Sequence, residues 1–219
     1  MRTLTGAIFA SLDGVIQAPG GPTEDWTGGF KHGGWMAPLA DEAMGAKIGG
    51  LFEAPFDLLL GRETYEIFAG YWPYAPDDHP IKGPFDRAGK YVVTHRDEGL
   101  DWVNSHRVAS IEGVAEVKRS AGPDLVIQGS STLYPQLFAA GLIDRLIVMT
   151  FPVVLGGGKR LFGAGTPALT LRMTEHLVSP GGVVIATYEP AGPVETGSFA
   201  GPDMSEREKA RQERMKREG

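Results

Sequence analysis

The sequence predicts an α/β domain with a mostly parallel central sheet and a C-terminal antiparallel hairpin. Three observations carry this expectation. Short apolar runs rich in Val, Ile and Leu alternate with helical stretches from residue 3 to 140, the pattern of strands joined by crossover helices. Several of those runs end in a turn of Gly, Ser, Thr and Arg just where a helix begins. Two β-rich segments, 168–178 and 183–189, flank Ser179-Pro180-Gly181-Gly182, a hairpin signal.

Taken in order, Thr3–Leu12 alternates as a strand and ends in the turn Asp13-Gly14. Residues 17–34 are dense in Gly, Pro and Thr, with Trp26 and Phe30 embedded, and a loop of that length is usually functional or disordered. A helix is expected from Pro38 to about Leu51, with Pro38 in its first turn and Asp41 and Glu42 close behind. Residues 56–60 read as a buried strand and 62–69 as a helix stopped near Gly70, followed by an aromatic, turn-rich excursion over 71–84. Strands are expected at Tyr91–Thr94 and Arg107–Ser110, and a helix at Val114–Ser120. Another strand follows at Leu125–Gln128, then a helix over 132–140 and a strand at Arg145–Phe151 that leads into the glycine run 156–158. Residues 1–190 therefore form one domain. Beyond it, 191–202 is a Gly/Pro-rich linker, and 203–219 is a charged tail in which Ser205 and Glu208 have capping-box spacing but no apolar face to bury.

Composition narrows the function. With 42% hydrophobic and 22% charged residues the chain is an ordinary globular protein, and 219 residues suffice for a full core. A net charge of −6 speaks against broad nucleic-acid or anionic-membrane surfaces. There are no cysteines, so disulfides, thiolate nucleophiles and cysteine-held metal centres are excluded. The five histidines show no metal-ligand spacing, and no GxSxG elbow is present. The N-terminal residues lack a signal-peptide pattern and no apolar run reaches about 18 residues, so a cytoplasmic protein is expected.

The chemistry gathers at the strand ends. Gly61-Arg62-Glu63-Thr64, Thr94-His95-Arg96 and Gly129-Ser130-Ser131-Thr132 each follow an apolar run. In a parallel sheet these ends share one edge, where α/β proteins bind ligands. Gly61 and Gly129 allow close backbone approach. Arg62, Thr64, Thr94, His95 and Arg96 suit an adenosine-side phosphate, with Arg62 offering a planar fork of donors. Ser130, Ser131 and Thr132 suit a pyrophosphate. The plainer alternative pairs Arg62 with a nearby carboxylate and leaves the glycines as strand ends. The run PVVLGGGKRLF, 152–162, is no P-loop, because Arg160 stands where the hydroxyl residue belongs. Its Lys159 and Arg160 either line an anionic ligand or are solvated turn cations. Asp13 is a candidate for the active cleft, or simply a turn former; Asp41 and Glu42 are candidate proton donors, or charges that compensate a helix N-terminus.

These segments, SLDG (11–14), LLLGRETY (58–65), VVTH (92–95), VIQGSSTL (126–133) and PVVLGGGKRLF (152–162), stand in the order seen in dihydrofolate reductase-like proteins. Over roughly residues 3–189 the chain most resembles the reductase domain of bacterial riboflavin-biosynthesis deaminase-reductases and its stand-alone relatives. The resemblance implies a dihydrofolate reductase-like three-layer fold, NADPH as hydride donor and commonly a homodimer. It also implies that the turn at 61–64 and Thr94-His95 contact the adenosine phosphate region, and that Gly129-Ser130-Ser131 lies under the pyrophosphate. By the same resemblance Asp13 lies near the nicotinamide and substrate, and the loop from Leu155 through Gly156 and Gly157 to Arg160 borders that cleft. No deaminase half with its His/Cys zinc motif is read in this sequence, so the bifunctional enzyme is not expected.

The expected function is an NADPH-dependent reductase of a small heterocyclic or carbonyl/imine substrate, pterin- or pyrimidine-like substrates included. Asp13, or water it positions, delivers the proton. Trp35, Asp41, Lys159 and Arg160 are expected around the substrate, with Trp26, Phe30 and Trp35 covering the cleft. The alternatives are a non-catalytic nucleotide- or ligand-binding protein on the same fold and a purely structural dimer module, which predicts no cofactor binding.

Overall fold

The computed structural model describes residues 1–96, 98–199 and 204–218. Six apolar runs form parallel strands: β1 (Leu4–Ser11), β2 (Phe56–Gly61), β3 (Lys90–Val93), β4 (Ser105–Val108), β5 (Asp124–Ile127) and β6 (Arg145–Phe151). The hairpin β7 (Leu171–Val178) and β8 (Val184–Pro190) completes one eight-stranded sheet of order β4-β3-β2-β5-β1-β6-β8-β7. Only β8 runs against its neighbours β6 and β7. The turn 179–182 closes with Gly182 N–H donating to the Ser179 carbonyl at 2.9 Å.

Successive side chains of a strand point to opposite faces, so the central strands carry apolar groups on both. Ile8, Leu59, Leu125 and Ile127 pack with α4 (Ile111–Arg119) and α5 (Leu133–Ala139). Ala7, Leu58, Leu60 and Val126 pack with α2 (Arg62–Tyr71) and α3 (Lys82–Arg87) through Tyr65 and Phe85. Ile147, Met149 and Phe151 pack with α1 (Glu42–Gly50) through Met44 and Ile48. Helices on both faces of a mostly parallel sheet make the expected three-layer α/β fold. Among the described residues no helix is long and apolar enough to cross a membrane, and no group of three or more His, Asp or Glu could hold a metal ion.

Several boundaries differ from expectation for local reasons. Pro38 sits in a separate 3-10 turn, Ala37–Leu39, because the Asp41 carboxylate accepts from Met44 N–H at 3.0 Å and starts α1 only at Glu42. α2 ends at Tyr71, one residue past Gly70. The excursion over 71–84 contains the 3-10 turn Trp72–Tyr74 and the start of α3, both gathered around the buried Phe85 ring. Residues 191–193 stay beside the hairpin, since Ala191 N–H donates to the Thr170 carbonyl, Thr170 N–H to the Gly192 carbonyl and the Thr170 hydroxyl to the Pro193 carbonyl, each at 2.8 Å. The tail forms a helix, α6 (Glu206–Glu218), which buries no residue and whose start is capped by Ser205 accepting from Glu208 N–H at 3.3 Å. Residues 200–202 of the linker and 203 and 219 of the tail lie outside the described residues.

Candidate active site

Because β2 and β5 are neighbours, the turns that follow them meet. The Thr64 and Ser130 hydroxyls are hydrogen-bonded at 2.9 Å. Gly61 ends β2 and caps α2 without a side chain, and a Cβ there would stand only 2.0 Å from Ser130 Oγ. Gly129 has a φ of +90°, a conformation L side chains rarely adopt, and passes Thr64 closely. The two turns thus form one polar surface. Arg62 leans the other way, toward β3: its Nε donates to Glu66 Oε1 at 2.6 Å and its Nη1 to the Glu98 carbonyl at 2.7 Å. Thr94 is buried and its hydroxyl accepts from Arg96 N–H at 3.1 Å, so it shapes its own turn. His95 and Arg96 are exposed.

Pairing of β1 with β6 brings Asp13 to the glycine loop, 142 residues further on. Its carboxylate accepts from Ser11 Oγ at 2.6 Å, Leu155 N–H at 3.1 Å and Gly156 N–H at 2.9 Å. Arg160 folds back over the same loop, donating to the Asp13 carbonyl and, at 3.0 Å, to the Gly156 carbonyl. The Ser11 hydroxyl first, then the Leu155 and Gly156 N–H groups, hold the Asp13 carboxyl at a pKa of about 2. So engaged, the carboxylate clamps the glycine loop to the turn after β1. Asp13→Asn is expected to lower the thermal midpoint at pH 7. The folded pKa lies below the ordinary value of 3.8, so the clamp's contribution is complete above 3.8 and lost as pH falls through 2. Melting curves of both proteins from pH 7 to 2 check this, and a gap that persists at pH 2 would remove the clamp.

Lys159 is likewise occupied. Its ammonium donates to Asp25 Oδ2 at 2.8 Å and Glu63 Oε2 at 3.0 Å. Partial burial pulls its pKa down, but the bonds to the two carboxylates outweigh that and raise it. Trp35 does not line a cleft: it is 8% exposed, stacks edge-on to Phe151 at 5.4 Å and donates from Nε1 to the Gln17 carbonyl. Its indole is large enough to complete the core beneath the loop. Trp26 is exposed instead. Asp41 is corrected too, since besides capping α1 it accepts from Gly181 N–H at 3.0 Å and so ties the hairpin turn to the helix. The Ser179 hydroxyl and the Met44 N–H hold its carboxyl below the usual range.

Two cavities flank the glycine loop. One, of about 480 Å³, is lined by Ser131, Thr132, Gln136, Lys159, Arg160 and Gly163–Gly165, and so joins two separately predicted segments. The other, of about 430 Å³, lies between residues 27–32 and Leu155, Gly157 and Lys159. Its organiser, Gln17, was not anticipated: buried, it donates to the Thr27 carbonyl at 2.9 Å and accepts from Lys159 N–H at 3.0 Å. Asp25 and Glu63 were missed for the same reason, because their partner is more than 90 residues away and no local pattern marks it.

A family model described as the RibD C-terminal domain matches residues 2–185. The chain belongs to this family. The chain is also similar to the uncharacterized protein YyaP of Bacillus subtilis (strain 168), 27% identical over 189 residues, covering 83% of this chain and 91% of YyaP. Solved structures share the fold. A Shewanella sp. PV-4 protein provisionally assigned to riboflavin biosynthesis aligns with a TM-score of 0.61 at 21% identity, covering 87% of this chain and 99% of that one. Enterococcus faecalis dihydrofolate reductase, complexed with NADP(H) and RAB-propyl, aligns with a TM-score of 0.55 at 16% identity, covering 86% and 96%.

Proposed function

We propose that this protein is an NADPH-dependent reductase that passes hydride to a small heterocyclic or carbonyl/imine substrate. The observation that carries the reading is the fused surface of the β2 and β5 turns, joined by Thr64 and Ser130, beside a cavity lined by Ser131, Thr132, Lys159 and Arg160. Hydroxyls, cations and bare glycine backbone are the donor set a dinucleotide requires. The fit extends to the glycine loop, where nothing lies within 4 Å of the place a Cβ would take on Gly156 or Gly157. Membership in the RibD C-terminal domain family supports the same reading, as does the shared fold of a reductase that holds NADP(H).

Arg62 and Thr64, with His95 and Arg96 on the turn that Thr94 shapes, would hold the adenosine-side phosphate, and Gly129 through Thr132 the pyrophosphate. When bound, NADPH supplies the hydride. Asp13 keeps Leu155, Gly156 and Gly157 in place at the other end of the groove, and the proton comes from water beside it. The protein would work as a homodimer through the edge strand β7, where Met173, Leu177 and Val178 are exposed.

Calorimetric titration with NADPH and NADH tests the reading. NADPH is expected to bind at least tenfold more tightly than NADH, a gap of about 1.4 kcal/mol. Arg62→Ala is expected to weaken NADPH roughly 10- to 100-fold, the range for losing charge-assisted hydrogen bonds, while leaving NADH nearly unchanged. No binding of either nucleotide would overturn it.

A further inference from the structure

Lys159 follows β6, whereas Glu63 lies in the first turn of α2, which follows β2. In the sheet β5 and β1 stand between those two strands. Three strand spacings are roughly 14 Å, so the Lys159–Glu63 contact straps the groove across the carboxyl ends of β5 and β1. The two carboxylates that hold the ammonium differ in kind. Asp25 is 14% exposed, and its second oxygen accepts from the Thr27 N–H and hydroxyl at 3.0 and 2.6 Å. Glu63 is 75% exposed, and its carboxylate has no other hydrogen-bond partner among the described residues. The Lys159 backbone is anchored separately, through Gln17 Oε1 and the Ile16 N–H. Its side chain is therefore aimed by Asp25 while its outer contact is easily exchanged, because exposed ion pairs contribute little.

We propose that Glu63 is a built-in competitor for phosphate: it occupies the Lys159 ammonium until a diphosphate entering the groove displaces it, and so sets the affinity of the site. The proposal rests on the NADPH reading for its physiological ligand, but the anion site is testable apart from it. A diphosphate brings more charge than one carboxylate and replaces it at an ammonium already in position. Asp25 stays in contact and keeps residues 25–27 in place during the exchange.

The test titrates wild type, Glu63→Gln and Glu53→Gln with inorganic pyrophosphate and, separately, with NADPH. Glu53 is exposed just before β2, at the opposite end of the sheet, so its variant carries the same change in net charge far from the groove. Glu63→Gln is expected to bind both probes about three- to fivefold more tightly, the size of a weak exposed pair, with Glu53→Gln unchanged. Lys159→Met is expected to abolish the gain when combined with Glu63→Gln. Pyrophosphate tightened without any NADPH binding would keep the competitor and sink the cofactor reading. Unchanged or absent pyrophosphate binding in Glu63→Gln, or an equal gain in Glu53→Gln, would overturn the proposal.

Discussion

Gly61→Ala is expected to lower stability by about 1–3 kcal/mol, the cost of overpacking a tight contact, and NADPH affinity by roughly tenfold or more. The cause is not the backbone angle, since Gly61 has a φ of −79° that alanine tolerates. It is space: the new methyl would stand 2.0 Å from Ser130 Oγ and 2.7 Å from Ser130 Cβ. The β2 and β5 turns would have to separate, breaking the 2.9 Å Thr64–Ser130 contact on which the groove is built. Removing the obstructing side chain in Gly61→Ala/Ser130→Gly is expected to restore most of the stability and only part of the affinity, because the Ser130 hydroxyl is gone. Urea unfolding and NADPH titration of wild type and the two variants check this. Wild-type stability in Gly61→Ala would show that the turns are not closely packed.

Asp57→Ala is expected to destabilise the protein by roughly 3–5 kcal/mol, the usual cost of stranding a buried charge, against a total of about 5–15 kcal/mol for a typical domain. Asp57 lies near the start of β2 and pairs with Arg2, whose side chain is 2% exposed. The carboxylate also accepts from Gly89 N–H at 2.7 Å. The guanidinium donates to the Pro123 carbonyl and lies 5.1 Å from the centre of the Tyr91 ring, while its Nη1 has no hydrogen-bond partner among the described residues. Without Asp57 no carboxylate among the described residues pairs with that charge. Replacing both partners by apolar residues, Arg2→Met with Asp57→Leu, is expected to recover most of the loss. A loss below about 1 kcal/mol in Asp57→Ala, measured by urea unfolding, would mean that water reaches the guanidinium. The pair sits at the end of the sheet opposite the groove, so NADPH affinity well below the melting range is expected to stay at the wild-type value.

Fold class was legible because it is written in short-range patterns. Arg145–Phe151 is an apolar run bounded by charge and proline, and the structure returns the same boundaries. The Ser-Pro-Gly-Gly turn announces its hairpin, and the glycines that close β2 and β5 announce where the sheet ends. The blurred boundaries were those at which a side chain from elsewhere intervened, as at Asp41, whose capping of α1 is joined to a bond with Gly181.

The site was legible at the level of segments and not of roles. That the turns at 61–64, 94–96 and 129–132 and the loop at 155–160 share one edge follows from parallel strands alone. Hydrogen-bond partners follow from nothing local. Asp13 is a clamp because Leu155 and Gly156 arrive beside it, Lys159 is paired because Asp25 and Glu63 do, and Trp35 is core because Phe151 and Gln17 enclose it. By itself the sequence determined which stretches become strands and helices and which turns stand at the ligand edge, since hydrophobic period and turn chemistry act over a few residues. The tertiary structure alone decided which charges reach the groove and which are satisfied by the protein, because each such pairing joins residues that only the folded sheet brings together.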